Sequence, residues 1–244
     1  MKSLNVLFVS TSHDMMGDTN VQTGLWLEEV AAPYYIFKEA GANLTIASPK
    51  GGKIPLDPKS ESIMVATVRT KRFLNDPEAI GFLYHSNLLE EMNAQDFDVL
   101  FISGGHGALW DIASNDLVKK LIEDFNNENK PIALVGHGVA ALLSVQNRNG
   151  EVLVKGKEMT GCSNSEEGSA GLIGKVPFSL ETELCSLGAA YSKGPNYVSY
   201  VVTDDNFITG QNPASSEEVA KKILVLSRQK KYSFPEVAVL TSNN

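Results

Sequence analysis

The chain has 244 residues, 43% hydrophobic and 20% charged, with two cysteines and a formal net charge of −8. That length suits one large α/β domain, which buries roughly three-quarters of its unfolded surface and needs no disulfide or metal to fold. Only Cys162 and Cys185 are present, which excludes a disulfide scaffold, an iron–sulfur cluster and a Cys-rich zinc module; the acidic balance argues against nucleic acid as a partner.

Residues 5–10 are short, β-branched and aromatic without polar alternation, which predicts a buried strand. The apolar run is too short, and too soon interrupted by His13 and Asp14, for a signal peptide. No run approaches the roughly 20 apolar residues of a membrane span, so a soluble, cytoplasmic protein with no membrane partner is expected. A polar stretch then leads to a helical pattern over 24–40, stopped by Gly41, and a second strand over 43–48. Strand, helix and strand with short connections are the signature of a parallel sheet.

The pattern weakens over 49–94, where 49–58 is loop by composition and Asn75-Asp-Pro-Glu starts a short helix. A strand at 99–102 ends in Ser103-Gly-Gly-His-Gly107, followed by a helix over 116–126 and a strand over 131–135. Gly136-His-Gly138 opens into a small-residue helix over 139–144, and a hairpin is expected around 147–150. A charged helix over 176–187, strands over 197–203 and 206–209, and a helix over 215–227 complete the pattern. Residues 1–228 read as one domain and 229–244 as a C-terminal tail with a single apolar run at 237–240.

Ligands of open parallel sheets bind beyond the carboxyl ends of the strands, and two glycine-rich strand ends stand out here. Gly104-Gly105-His106-Gly107 can turn amide N–H groups toward a ligand, as an oxyanion site requires, or can simply make a tight turn. Val135-Gly136-His137-Gly138 matches a nucleophile elbow, whose central side chain sits above the sheet on strained backbone at a helix start. Glycine tolerates that backbone and brings no side chain. On the first helix, Leu25, Trp26, Glu29 and Pro33 fall on one face, and a carboxylate on an apolar stripe is costly unless paired or protonated. The plainer reading makes Glu28 and Glu29 solvated acids of the first turn. His13 and His85 show no i, i+4 pairing, while His106 and His137 both stand at strand ends; neither a metal nor a nucleotide cofactor is expected.

Seven segments in order give the chain its resemblance: Thr23-Gly-Leu-Trp-Leu-Glu-Glu, Ala47-Ser-Pro-Lys-Gly-Gly, Ser103-Gly-Gly-His-Gly, Gly136-His-Gly, Thr160-Gly-Cys-Ser-Asn-Ser-Glu-Glu, Tyr191-Ser-Lys-Gly-Pro and Thr209-Gly-Gln-Asn-Pro-Ala-Ser-Ser. Together they resemble the ThiJ/PfpI superfamily, with its class I glutamine amidotransferase-like fold, and within it the branch of heat-shock chaperones, glyoxalase III enzymes and deglycases. The resemblance implies a flavodoxin-like α/β three-layer sandwich, a mostly parallel sheet flanked by helices. It places the family's helix-borne acid on Glu29, its backbone donors on Gly104 and Gly105, its nucleophile on Gly136 and its histidine on His137. The acid completing a Cys-His-acid set falls on Glu167, with Glu166 the one-residue alternative, and His106 and Gly138 are expected to join Gly104 and Gly105 in the oxyanion and substrate-binding set. In the family the cysteine attacks an α-oxoaldehyde such as methylglyoxal, and the nearby glutamate shuttles protons until lactate forms, with no glutathione or metal.

This chain has no thiol at residue 136. Removing a nucleophile costs other enzymes on the order of a millionfold in turnover, so the chain is expected to be inactive or severely impaired. Three readings follow: an engineered copy of an active enzyme, a natural relative that binds without turnover, or a different nucleophile, for which Cys162 is the candidate. Cys162 reads equally as a small buried hydrophobe, and Cys185 as partly buried and inert. The alternative function is a non-catalytic chaperone or ligand-binding stress protein on the same fold, with glycated or unfolded protein as partner and an exposed apolar patch expected near residues 63–89 or 237–240. A homodimer agrees with the resemblance.

Overall fold

Alternate residues of β1 (Asn5–Val9) enter opposite apolar clusters: Val6 and Phe8 on one side, Leu7 and Val9 on the other. A strand buried on both faces carries the unbroken hydrophobic run seen in its sequence. The computed structural model describes the backbone of residues 3–232 and the side chains of residues 3–228. The apolar run at 237–240 lies outside the described residues. No helix among them is long and apolar enough to cross a membrane.

The chain passes from β1 through α1 (Glu28–Glu39) to β2 (Asn43–Ser48), then through α2 (Val68–Leu74) and α3 (Pro77–Tyr84) to the two-residue β3 (Asn87–Leu88). It returns to the middle of the sheet with β4 (Val99–Ile102), followed by α4 (Ala108–Asp111), α5 (Asp116–Asn127) and β5 (Ile132–Val135). A short parallel pair, β6 (Glu158–Met159) and β7 (Ala190–Tyr191), brackets α6 (Asn164–Ser169) and α7 (Leu180–Ser186). Then β8 (Val201–Asp204) turns back into β9 (Phe207–Gly210), and α8 (Ser216–Tyr232) closes the described chain.

Among the described residues seven strands form one sheet in the order β3-β2-β1-β4-β5-β9-β8, parallel except for the β8–β9 pair. Helices α1 and α8 cover the face carrying Phe8, Phe101 and Val135, while α5 covers the face carrying Leu100 and Leu134. The result is the three-layer, flavodoxin-like sandwich. Its strand order reverses between β1 and β4, where loops diverge and leave a crevice at the strand ends.

Several local expectations are corrected. The first helix starts at Glu28 rather than at 24, because Leu25 pairs with Leu56 in a parallel bridge and Gly24 takes φ +151°. Leu25 and Trp26 therefore precede the helix and do not share a helical face with Glu29. The turn after β5 is a 3-10 helix over Gly136–Leu142, not an α-helix over 139–144. The charged helix shortens to α7, and the strand expected from 197 starts at Val201, because Tyr197 takes φ +62° and breaks extended backbone. The expected hairpin closes with one bridge, Gln146 to Val152, and no strands.

Candidate functional site

Loops after β1, β4, β5 and β9 converge at one end of the sheet. A cavity of about 130 Å³ opens there between Trp26, Glu29, His106, His137 and Gln211. Gly136, the first residue after β5, takes φ +55°, a left-handed conformation that glycine adopts without strain. A Cβ built on it would stand 2.6 Å from Glu29 Oε1. The carboxyl of Glu29 therefore fills the space where a side chain at 136 would begin.

Glu29 is 1% exposed, which overturns its reading as a solvated first-turn acid. Glu28 is half-buried and accepts a hydrogen bond from Thr67 Oγ1 at 2.6 Å. At Glu29 the helix dipole favours ionisation, but burial costs the charged form far more. Burial pushes its carboxyl up to about 8, against the opposing hydrogen bond from the Gly104 amide and with further upward pressure from Glu166 and Glu28. At neutral pH Glu29 is mostly a protonated acid on the cavity wall.

The Gly104 amide donates to Glu29 Oε2 at 2.6 Å. This corrects the expectation that Gly104 offers its amide to a ligand: it anchors the acid instead. Gly138 is also displaced from its expected role, since its Cα packs against the end of β4. A Cβ there would lie 2.8 Å from the carbonyl oxygens of Ile102 and Ser103. Gly105, at φ +90°, does line the cavity.

Glu167 on α6 accepts from both imidazoles, His106 Nε2 at 2.7 Å through Oε1 and His137 Nε2 at 2.8 Å through Oε2. Burial alone would raise its pKa, but the two ring N–H groups outweigh that and hold the carboxyl far below the usual carboxylate range. An ionised carboxylate only accepts, so each ring carries a proton on Nε2. Burial, and then the neighbouring His106, push the His137 pKa down despite Glu167, so the ring is neutral at pH 7. The rings of His106 and His137 lie against each other at a tilt of 40°, with centroids 4.2 Å apart.

Glu166 has a different task. Its Oε1 accepts from the Tyr197 amide and from Asn212 Nδ2, each at 2.8 Å, and its Oε2 completes a capping box with Ser163 at the start of α6. Those bonds leave the histidines to Glu167. Ser163→Ala is expected to cost about 1 kcal/mol through loss of this cap, read as a lower urea midpoint; an unchanged midpoint would mean that the cap is idle.

His106, His137 and Glu167 offer three possible metal-ligand atoms within 4.8 Å of one another. A metal at Nε2 would move each ring's proton to Nδ1, and His106 Nδ1 is buried with no hydrogen-bond partner among the described residues. Metal-bound histidines need an acceptor at that second nitrogen, so the residues fit a hydrogen-bonded relay better than a metal centre. Cys162 lines the same cavity, but burial pushes its thiol pKa well up, which leaves a poor nucleophile. Cys185 is exposed, contrary to expectation.

Sequence reasoning misses Gln211 and the cavity-lining position of Trp26. Gln211 lies in the last of the seven segments, where nothing local gives it a role, and the helical pattern puts Trp26 on a helix that starts only after it.

The DJ-1/PfpI family profile matches residues 21–226. A glutathione-independent glyoxalase of Saccharomyces cerevisiae is 27% identical over 238 residues, covering 90% of this chain and 96% of that protein. The Rapid Encystment Protein 24 KDa of Francisella tularensis is 40% identical with a TM-score of 0.87, over 92% of this chain and 99% of that one. Glyoxalase III of Candida albicans superposes with a TM-score of 0.83 at 24% identity, over 91% and 96% of the two chains, a likeness of fold.

Proposed function

The chain belongs to the DJ-1/PfpI family, and from that premise we propose that its cavity is a glyoxalase III-type site for small α-oxoaldehydes such as methylglyoxal, silenced by Gly136. One observation carries the proposal: the protonated Glu29 carboxyl lies 2.6 Å from the position a Cβ at residue 136 would take. A thiol grown from that position would be flanked by a proton shuttle and by the His137–Glu167 pair. The relatives named as glutathione-independent glyoxalases support the same substrate class.

In the proposed reaction a thiol adds to the aldehyde carbon to form a hemithioacetal. The fraction of Glu29 that is ionised below its pKa of about 8 takes the proton from that carbon and returns it to the neighbouring carbon, the hydroxyl proton passes from the first carbon's oxygen to the second's, and water releases lactate from the resulting thioester. The chain as it stands lacks the first reactant and has no use for a cofactor in the others. The test is lactate formation from methylglyoxal by Gly136→Cys beside the unmodified chain; a folded but inactive Cys variant would sink the proposal.

A second reading has its own observation. Ile63, Met64 and Val68 are 84%, 87% and 85% exposed on one stretch ahead of and opening α2. Large apolar side chains gathered on a surface favour contact with another protein, as a client-binding role requires. That role predicts suppression of citrate synthase aggregation that is unchanged in Gly136→Cys and weakened several-fold by Ile63→Lys with Val68→Lys. Suppression insensitive to the lysines would exclude this surface.

A further inference from the structure

Gln211 is fully buried, and its amide orientation is set: Oε1 accepts the Gly194 N–H at 2.8 Å, so the other end is the NH₂. That Nε2 has no hydrogen-bond partner among the described residues, although the residue lines the cavity. An unpaired buried donor costs roughly 1–3 kcal/mol, a cost that an oxygen acceptor brought within reach of it would relieve. Around it the site holds an acid and a base in the protonation states that proton transfer needs. Glu29 is a neutral carboxylic acid up to about pH 8, and neutral His137 keeps a lone pair on Nδ1 while Nε2–H is held by Glu167. Two titrating groups whose environments separate their pKa values mark an acid and base pair.

We propose that the site, as it stands and without any thiol, enolises small neutral α-hydroxycarbonyl compounds, interconverting hydroxyketone and hydroxyaldehyde, with Gln211 anchoring the carbonyl oxygen and Glu29 and His137 moving the protons. The size fits: about 130 Å³ holds roughly four waters at ~30 Å³ each, the room that a three-carbon compound takes. Charge fits as well. No lysine or arginine lines the cavity among the described residues, and Glu167 is ionised, so a carboxylate or phosphate ester is disfavoured.

For hydroxyacetone, His137 Nδ1 takes a proton from C1, and the C–H electron pair becomes the C1=C2 bond. The carbonyl electron pair moves to oxygen, which takes the Glu29 proton and gives the enediol. His137 then returns a proton to C2 while the C1 hydroxyl gives its proton back to Glu29, leaving lactaldehyde. Nothing is oxidised or consumed. Glu166 and Glu28 raise the Glu29 pKa, and Glu167, His106, His137 and Cys162 are the other titratable groups that line the same cavity.

The experiment follows loss of the hydroxyacetone C1 proton signal in D₂O by proton NMR, with the buffer rate subtracted. The protein is expected to exchange this proton about a hundredfold faster than buffer, the lower range of acid–base catalysis. Its rate should decline as pH rises through about 8, where Glu29 loses its proton. Glu29→Gln should return the rate close to buffer. Gln211→Glu, which keeps the acceptor for Gly194 and loses the donor, should weaken it five- to tenfold with most of the change in KM. Exchange at the buffer rate, exchange indifferent to Glu29→Gln, or a rate that climbs through pH 8 overturns the proposal. Exchange that persists while Gly136→Cys makes no lactate removes the glyoxalase reading and leaves this one standing. Lactate formation by that variant with no exchange in the unmodified chain does the reverse.

Discussion

Gly136→Cys is expected to raise lactate formation from methylglyoxal by several orders of magnitude, toward the roughly millionfold that separates other enzymes from their nucleophile-deleted forms. The gain carries a structural cost. At φ +55° a non-glycine residue is strained by about 1–3 kcal/mol, and the new Cβ would stand 2.6 Å from Glu29 Oε1. That oxygen ends a flexible side chain, so Glu29 withdraws by a fraction of an ångström and the sheet stays in place. A lower urea midpoint should therefore accompany the activity. Gly136→Ala controls for this, with similar strain and no lactate. Adding Glu167→Gln to the Cys variant should remove about 10²–10⁴ of the gained rate, because His137 loses the carboxylate that orients it. Full activity without Glu167 would assign that carboxylate to structure alone.

Glu29→Gln is expected to flatten the dependence of stability on pH between about 4.5 and 8. The folded-state pKa of Glu29, about 8, lies above the ordinary 4.5, so the folded chain holds this proton more tightly than the unfolded one. Its contribution is complete below pH 4.5 and is lost as pH rises toward 8. Across that window each step of one in pH removes about 1.4 kcal/mol, so the loss by pH 7 is on the order of 3 kcal/mol. Glu167 works in the opposite sense. Its depressed pKa gives stability above the ordinary carboxylate range, lost as pH falls through the folded value. The native chain should thus be most stable in mildly acidic solution, with Glu29 responsible for the decline on the neutral side. Urea unfolding at pH 5, 6, 7 and 8 measures both slopes; equal slopes for the two proteins would show that Glu29 is not carrying the buried proton.

Local pattern reaches far into this fold. The strands β1, β4 and β5 are legible because a strand buried on both faces is apolar almost throughout, Gly104-Gly105 follows the end of β4, and Gly41 marks the end of the helix before β2. By contrast β3, β6 and β7 have two residues each, too few to carry any period. The choice between Glu166 and Glu167 does have a local signal: Ser163-Asn-Ser-Glu166 is a capping-box pattern, which engages the first acid and releases the second.

By itself, the sequence determined the parallel α/β architecture, the two glycine turns and the absence of a side chain at residue 136, all properties written in neighbouring residues. Tertiary structure alone decided that Glu29 is a buried acid rather than a solvated one. It also drew the Gly104 amide onto that acid, joined two histidines to one carboxylate, and left the buried Gln211 amide nitrogen without a hydrogen-bond partner among the described residues. Charge state and hydrogen-bond partnership depend on what surrounds a group in space, and the groups that meet here are distant in sequence: 75 residues separate Glu29 from Gly104, and 61 and 30 separate the two histidines from Glu167.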